Sequence, residues 1–558
     1  MFGAGSRVGA ANDTSQPVSD LADAKAKEVP WVVFLLFVFV FVAAILPIVI
    51  ITHPIQIDLP QHLARHYIAS TIERSDHLSR FYSFEWQIIP YLAGDVLHQV
   101  LARYAPIYDA GRIALGIVFL LWLTAALLLH RVLWGTFSAW PLLSVLFFYN
   151  ANVGWGFENY VLGSALAVLL FVAWVAWQPA RLSVKAFIFT GLATLLYLMH
   201  IFAFGVFGLL YLTYELGRNW DLLLRNLVLG LGRLTIIGLP IVPGTLLFIT
   251  LVLLSTEYAT DSRTIFGGIP QRIGVLTGAL SARFYDLQID RIVFGCLFFL
   301  FLWGLLTKRL SFHPTMKLVL IVFGALCLII PYKSAGVTFT HHRMPFIFFM
   351  LLIASSRWEA VRPTVYWVTA SAVVAMILAR SVMIIDYWKP HDIEMKELVQ
   401  SFQKLERGAT LLPVWNGVRG EMNHWYSSAY AVIERDAFVP ILFSAVTLLD
   451  IQPEFRRING ADQGISKINR VQGDLDSFAT AIEAANSGTD PGSDRHLEVF
   501  QGWWPSFSHV LVVDREKTGN PSPEHLELIH DGSYYAIYRN LDFESQPEGP
   551  SGGRVTDN

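Results

Sequence analysis

Twenty consecutive uncharged residues, Trp31–Ile50 (WVVFLLFVFVFVAAILPIVI), constrain this chain more than any other feature. Wound into a helix they rise about 30 Å, the thickness of a bilayer's hydrocarbon core. A cleaved leader has a shorter apolar region and a small-residue cleavage site, so this segment reads as an uncleaved first span. Further apolar runs predict spans at roughly 113–130, 137–150, 160–177, 186–199, 201–216, 234–254, 292–307, 318–331, 344–356 and 364–385, about eleven in all. Composition agrees, with 54% hydrophobic and only 15% charged residues, against about 25% charged in ordinary soluble proteins. A formal net charge of −3 provides no global basic field for nucleic acid. The two cysteines, Cys296 and Cys327, lie inside apolar runs and read as core residues.

The expected fold is therefore an α-helical polytopic membrane protein with a small C-terminal α/β domain outside the membrane. Residues 1–30 are small and polar and read as a disordered tail; 31–386 form the multi-span body, with a long first loop at 51–112. Lys and Arg are more than twice as dense in the loops of one side as in those of the other. The positive-inside rule then puts the N-terminus in the cytoplasm and the C-terminal domain outside. In that domain, 387–545, His391–Arg407 has apolar residues at helical spacing, and Ala409–Trp415 and Ser508–Asp514 are suited to strands. Asp531-Gly532 between two apolar runs signals a hairpin within Leu526–Arg539. Residues 459–495 read as an exposed insertion and 546–558 as a disordered stub.

Polar clusters embedded in apolar context are the places to look for chemistry, because ionisable groups at membrane depth are costly. The first is His53-Pro54-Ile55-Gln56-Ile57-Asp58-Leu59-Pro60-Gln61-His62, continuing through Arg65 and His66. Asp58, His62 and His66 fall along one helix face. Asp58 and His62 suit a shared proton, metal or substrate hydroxyl; the plainer reading makes Asp58 only the helix cap. The second, Asn150 through Tyr160, is a tight turn holding Glu158 and three Asn. Its carboxylate faces a wet cavity or a partner, or the turn only satisfies its own backbone. His200, in LYLMHIFAFG, reads as a buried or hinge histidine unless other polar groups join it. Lys333, His342 and Arg343 precede the tenth span. Arg343 has the planar fork that suits phosphate oxygens, or it snorkels to the interface; Arg380 invites the same two readings.

The sequence contains no Walker A loop, H-E-x-x-H, C-x-x-C or G-x-S-x-G pattern, so nucleotide hydrolysis, zinc peptidase and serine hydrolase chemistry find no support. With Asp58 in IDLPQH soon after the first span, and with GWGFENYVLG and HIFAFG following, the chain resembles the GT-C class of membrane glycosyltransferases. The resemblance implies a polyprenyl-phosphate-linked sugar as donor and an envelope glycan, lipid or protein as acceptor, at the outer face of the bacterial inner membrane. It implies a catalytic role for Asp58 and donor-phosphate binding by Arg343; His62 and Glu158 are further candidates beside the first, and His200, Lys333 and His342 are candidates for substrate binding beside the second. A second acidic residue is usual in that class, and Glu158, Asp286 or neither fills the role here. A divalent metal is left open, and no nucleotide cofactor is implied. The competing reading is a non-catalytic membrane scaffold or a lipid- or polymer-handling protein of envelope assembly.

Overall fold

The computed structural model describes residues 30–179, 181–254, 264–280, 287–334, 337–359, 363–416, 422–442, 448–456, 458, 475–487 and 504–544. The expected N-terminal tail, the C-terminal stub, Asp286 and most of the 459–495 insertion lie outside these residues.

Seven helices among the described residues are long and apolar enough to cross a membrane: Trp31–Ile50, Ile107–Trp134, Glu158–Ala176, Leu182–Met199, Ile201–Arg218, Leu227–Leu251 and Ala370–Lys404. The run at 292–307 lies in a 20-residue helix, Leu287–Leu306. Those at 318–331 and 344–356 are 13-residue helices, Lys317–Ile329 and Arg343–Ser355. The run at 137–150 departs from the helix expected of it. Pro141 stands near its start, and Trp140–Phe147 winds as a 3-10 helix of eight residues, largely buried against neighbouring helices. The architecture is that of a helical polytopic membrane protein carrying a small sheet.

That sheet has four strands. Leu411–Trp415 runs parallel to His509–Val513, which pairs antiparallel with Tyr535–Asn540, and Leu526–Asp531 forms the other edge. Leu411–Trp415 and His509–Val513 are buried at every position, as strands covered on both sides are. Leu526–Asp531 and Tyr535–Asn540 make the expected hairpin around Asp531-Gly532, where Gly532 N–H donates to Tyr535 O at 2.9 Å.

Two connections tie the sheet to the bundle. The amphipathic helix expected at His391–Arg407 is not separate: it continues the last span as one 39-residue helix, Pro363–Ser401, with Pro390 inside. At about 1.5 Å per residue such a helix outruns a hydrocarbon core of ~30 Å. Its final turns leave the bilayer and receive the sheet, through Glu394 to Arg515 and Glu397 to Ser533. The first loop also docks here: Tyr82–Phe84 pairs antiparallel with Leu449–Ile451, and Tyr67 and Ser75 both donate to Asp436. We call this the sheet end of the bundle.

Candidate functional site

At the sheet end, four segments distant in sequence meet. The first is the entry to the helix Leu59–Thr71. Buried Ile55 and Ile57 anchor the preceding loop, and Ile57 N–H and Asp58 N–H donate to Gly154 O and Trp155 O, both at 3.1 Å. Gly156 makes that approach possible. Its φ is +82°, and a Cβ there would stand 2.9 Å from Asp58 N and 3.1 Å from Asp58 Cβ. Any other residue would meet both a strained backbone and a clash.

Asp58 occupies the cap position without capping. Its backbone is already helical (φ −83°, ψ −7°), and its side chain accepts no bond from the helix. No hydrogen bond or ion pair reaches its carboxylate among the described residues. Burial without compensation pushes its pKa up to about 7. His62, one turn on, is pushed down to about 3, first by burial and then by Arg65. It is therefore neutral at ordinary pH.

The second segment is the turn at 150–160, where both sequence readings hold for different residues. Its asparagines serve the backbone. Asn150 Oδ1 accepts from Asn152 N–H at 2.8 Å, Asn152 Nδ2 donates to His342 O at 3.1 Å, and Asn159 Oδ1 accepts from Gly94 N–H at 2.6 Å. Glu158 does not serve the backbone. Its Oε1 is buried without a hydrogen-bond partner among the described residues, and its Oε2 lies 3.7 Å from His98 Nε2.

His98, which the sequence did not single out, belongs to a buried group with Asp95, Arg65 and His66. Its ring stacks on His66 with centroids 4.0 Å apart, and Arg65 donates to Asp95 at 2.7 Å. Asp95 and His98 sit three apart on the short helix Leu92–Leu101, and that spacing was the one available signal. Gly94 O lies 2.9 Å from His98 Nδ1. A carbonyl only accepts, so Nδ1 carries the proton and Nε2 presents a lone pair to Glu158. Burial holds His98 well below the usual histidine range, so the ring beside Glu158 is neutral.

The third segment is the break between Leu182–Met199 and Ile201–Arg218. His200 caps the second helix, its Nδ1 accepting from Phe202 N–H at 3.1 Å and Ala203 N–H at 3.4 Å. Those bonds place its proton on Nε2. Its ring meets the edge of Tyr91 at 4.9 Å and of Tyr160 at 5.8 Å.

The fourth segment leads into Arg343–Ser355. The guanidinium of Arg343 lies against three aromatic rings, with Cζ 5.3 Å from Phe157, 5.3 Å from Tyr160 and 5.2 Å from Phe202. Among the described residues it has no carboxylate partner. Tyr160 OH donates to Arg343 O at 2.6 Å and so binds the turn to this segment. His342 packs beside Phe339, with ring centroids 5.8 Å apart, and Lys333 follows Tyr332, whose ring meets Phe339 and His341. Phe339 and Tyr91 both have positive φ, +62° and +77°, a costly conformation for aromatic residues. Both flank this site.

Arg380 shows what a structural arginine looks like in the same protein. It is buried, donates to Leu146 O, Tyr149 O and Leu280 O, and pairs with Asp290 at 3.4 Å. The snorkelling reading and the phosphate reading both fail for it.

No family model matches the sequence, and no curated protein matches it. Among solved structures the chain is similar to ArnT from Cupriavidus metallidurans. The apo form gives a TM-score of 0.48 at 12% identity, and the form bound to undecaprenyl phosphate gives 0.49 at 11%. Each comparison covers 93% of this chain and 99% of the other.

What the site can do follows from its own geometry. Asp58 is a carboxylate poised to take a proton near neutral pH. Arg343 is a cation held by aromatic faces instead of by an anion. The turn 155–160 touches both. A cavity of about 820 Å³, lined by Gln178, Leu182, Lys185, Asn226 and Arg233 among others, lies toward the opposite end of the bundle. The 19-residue helix Glu158–Ala176, some 28 Å long by rise per residue, separates it from this cluster.

Proposed function

We propose that the protein is a membrane glycosyltransferase that moves a sugar from a polyprenyl-phosphate donor to an acceptor hydroxyl at the outer face of the inner membrane. The observation that carries this reading is that one turn touches both a carboxylate and a guanidinium that, among the described residues, have no partner of opposite charge. The polyprenyl donor and the envelope acceptor come from the sequence resemblance.

In this reading Asp58 takes the proton of the acceptor hydroxyl as its oxygen attacks the anomeric carbon. The new glycosidic bond forms as the bond from that carbon to the phosphate oxygen breaks, with inversion. Polyprenyl phosphate departs with the electron pair, and Arg343 stabilises the developing charge, with Nε2–H of His200 as a further donor. A positioned base contributes roughly 10²–10⁴ in rate, and preorganised donors to the leaving group contribute on a similar scale. His62 is neutral and borders the base without competing for its proton. A scaffold has no use for an acidic residue that neither caps nor pairs, and this favours transfer over the non-catalytic alternative.

The test is transfer by purified protein from a panel of polyprenyl-phosphate sugars, wild type against Asp58→Asn. Loss of transfer with an unchanged thermal melt is expected. Retained transfer in Asp58→Asn removes Asp58 from the mechanism, and wild-type inactivity across the panel removes the donor class.

A further inference from the structure

A second group of ligating side chains lies where the long helix meets the C-terminal sheet, and the transfer reaction makes no use of it. His391 and Glu394 are three apart on the Pro363–Ser401 helix and so share a face. His424 reaches them from the short 3-10 turn Met422–His424. One donor atom from each of the three lies within 4.8 Å of the other two. His424 Nε2 and Glu394 Oε2 are 3.2 Å apart, and the two imidazole centroids are 5.2 Å apart. Tetrahedral ligands at zinc-like bond lengths stand roughly 3.4 Å from one another, so this edge of a coordination sphere is nearly formed. His391 is 8% exposed, and its Nδ1 is buried with no hydrogen-bond partner among the described residues.

We propose that His391, Glu394 and His424 bind one divalent transition-metal ion of the zinc type, fastening the C-terminal region to the long helix. Two imidazoles and one carboxylate form a donor set that zinc favours, with a fourth position left for water.

Arg515 is the competitor. It forks onto Glu394 at 2.8 and 3.0 Å, and its Nη2 lies 3.3 Å from His424 Nε2. Two features let it yield. Its side chain is 44% exposed, so the guanidinium has solvent to move into, and it keeps the face of Tyr534 at 5.2 Å. A carboxylate also offers about four lone-pair sites, and a fork occupies two. The metal takes the charge-balancing place that Arg515 holds in this structure.

The proposal is tested by titrating the full-length protein, purified in detergent without a histidine tag and stripped of metal, with Co²⁺ and then displacing it with Zn²⁺. One equivalent of Co²⁺ with the visible absorption of a four-coordinate site is expected. His391→Ala, His424→Ala and Glu394→Gln should each weaken binding at least 100-fold. Arg515→Ala should bind as tightly as wild type or more tightly, an effect opposite to that of losing an ion-pair partner. X-ray absorption on the wild-type Zn²⁺ form reads the ligands without any variant, and two imidazoles are expected. The proposal is overturned by no saturable binding in wild type and Arg515→Ala, by binding that survives in all three ligand variants, or by fewer than two imidazoles at the metal.

Discussion

Two acid–arginine sets in this molecule have the same residue types and opposite surroundings. In the first, Asp392 accepts from Thr52 N–H at 3.1 Å, His53 N–H at 2.8 Å and Lys396 Nζ at 2.5 Å, and Arg380 is held by three carbonyls and Asp290. In the second, neither Asp58 nor Arg343 has a partner of opposite charge among the described residues. Buried ionisable groups are ordinarily paired because isolation is costly. The first set obeys that rule and binds the loop to the long helix and the helices to one another. The second, half-buried in both its members, departs from it twice within one cluster. The difference separates groups that hold the fold from groups kept available for something that arrives later.

Four experiments press on that contrast. Arg380→Met should be the most damaging, because it removes the cation beside Asp290 and a donor to three carbonyls. A loss of about 3–5 kcal/mol is expected for breaking a buried pair from one side, read as lost monodisperse protein on size exclusion. If Arg380→Met folds normally, the structural half of the contrast is wrong.

Asp58→Asn should do the reverse, lowering transfer by about 10²–10⁴ while the protein melts no earlier than wild type. The pH dependence has a defined sign. The folded-state pKa of Asp58, about 7, exceeds its ordinary 3.8, so the folded protein holds this proton more tightly than the unfolded chain. Its contribution to stability is present below about pH 4 and lost as pH rises through about 7. Asp58→Asn should therefore gain most over wild type above pH 7. Wild-type transfer should rise about tenfold per unit below pH 7 and level off above it. His62, held near 3, does not titrate in that range.

Arg343→Ala should cost about 10²–10³ in turnover, with partial recovery in Arg343→Lys, and should leave the thermal melt near wild type. Asp392→Asn completes the set as the smallest change. A drop of about 1–3 kcal/mol in stability is expected, with transfer per folded molecule unchanged.

The parts legible in the sequence were those where a polar residue interrupts an apolar run. Asp58, Glu158, His200 and Arg343 stand out for that reason, and the structure brings their segments together. The hairpin at Asp531-Gly532 was legible because its turn chemistry is local. His98 and Asp95 were not, since both sit on a short amphipathic helix where a polar residue is unremarkable. Continuity from the last span into His391–Ser401 was hidden by Asp386, Lys389 and Pro390, which read as a stop although the helix absorbs them. Pairing of Tyr82–Phe84 with Leu449–Ile451 was beyond reach, because a three-residue strand has no period to detect. The two arginines show the limit most plainly: one pair of readings fitted both Arg343 and Arg380, and only their surroundings told them apart.

Gly156 has a use outside this protein. The close approach of its α-carbon to Asp58 leaves no room for a methyl group, so the residue acts as a diagnostic mark. In any related chain, alanine or anything larger at this position means that the acidic loop has been displaced, even if every charged residue is intact. A survey of relatives can therefore sort those able to keep this arrangement from those that have abandoned it by reading one small, uncharged position.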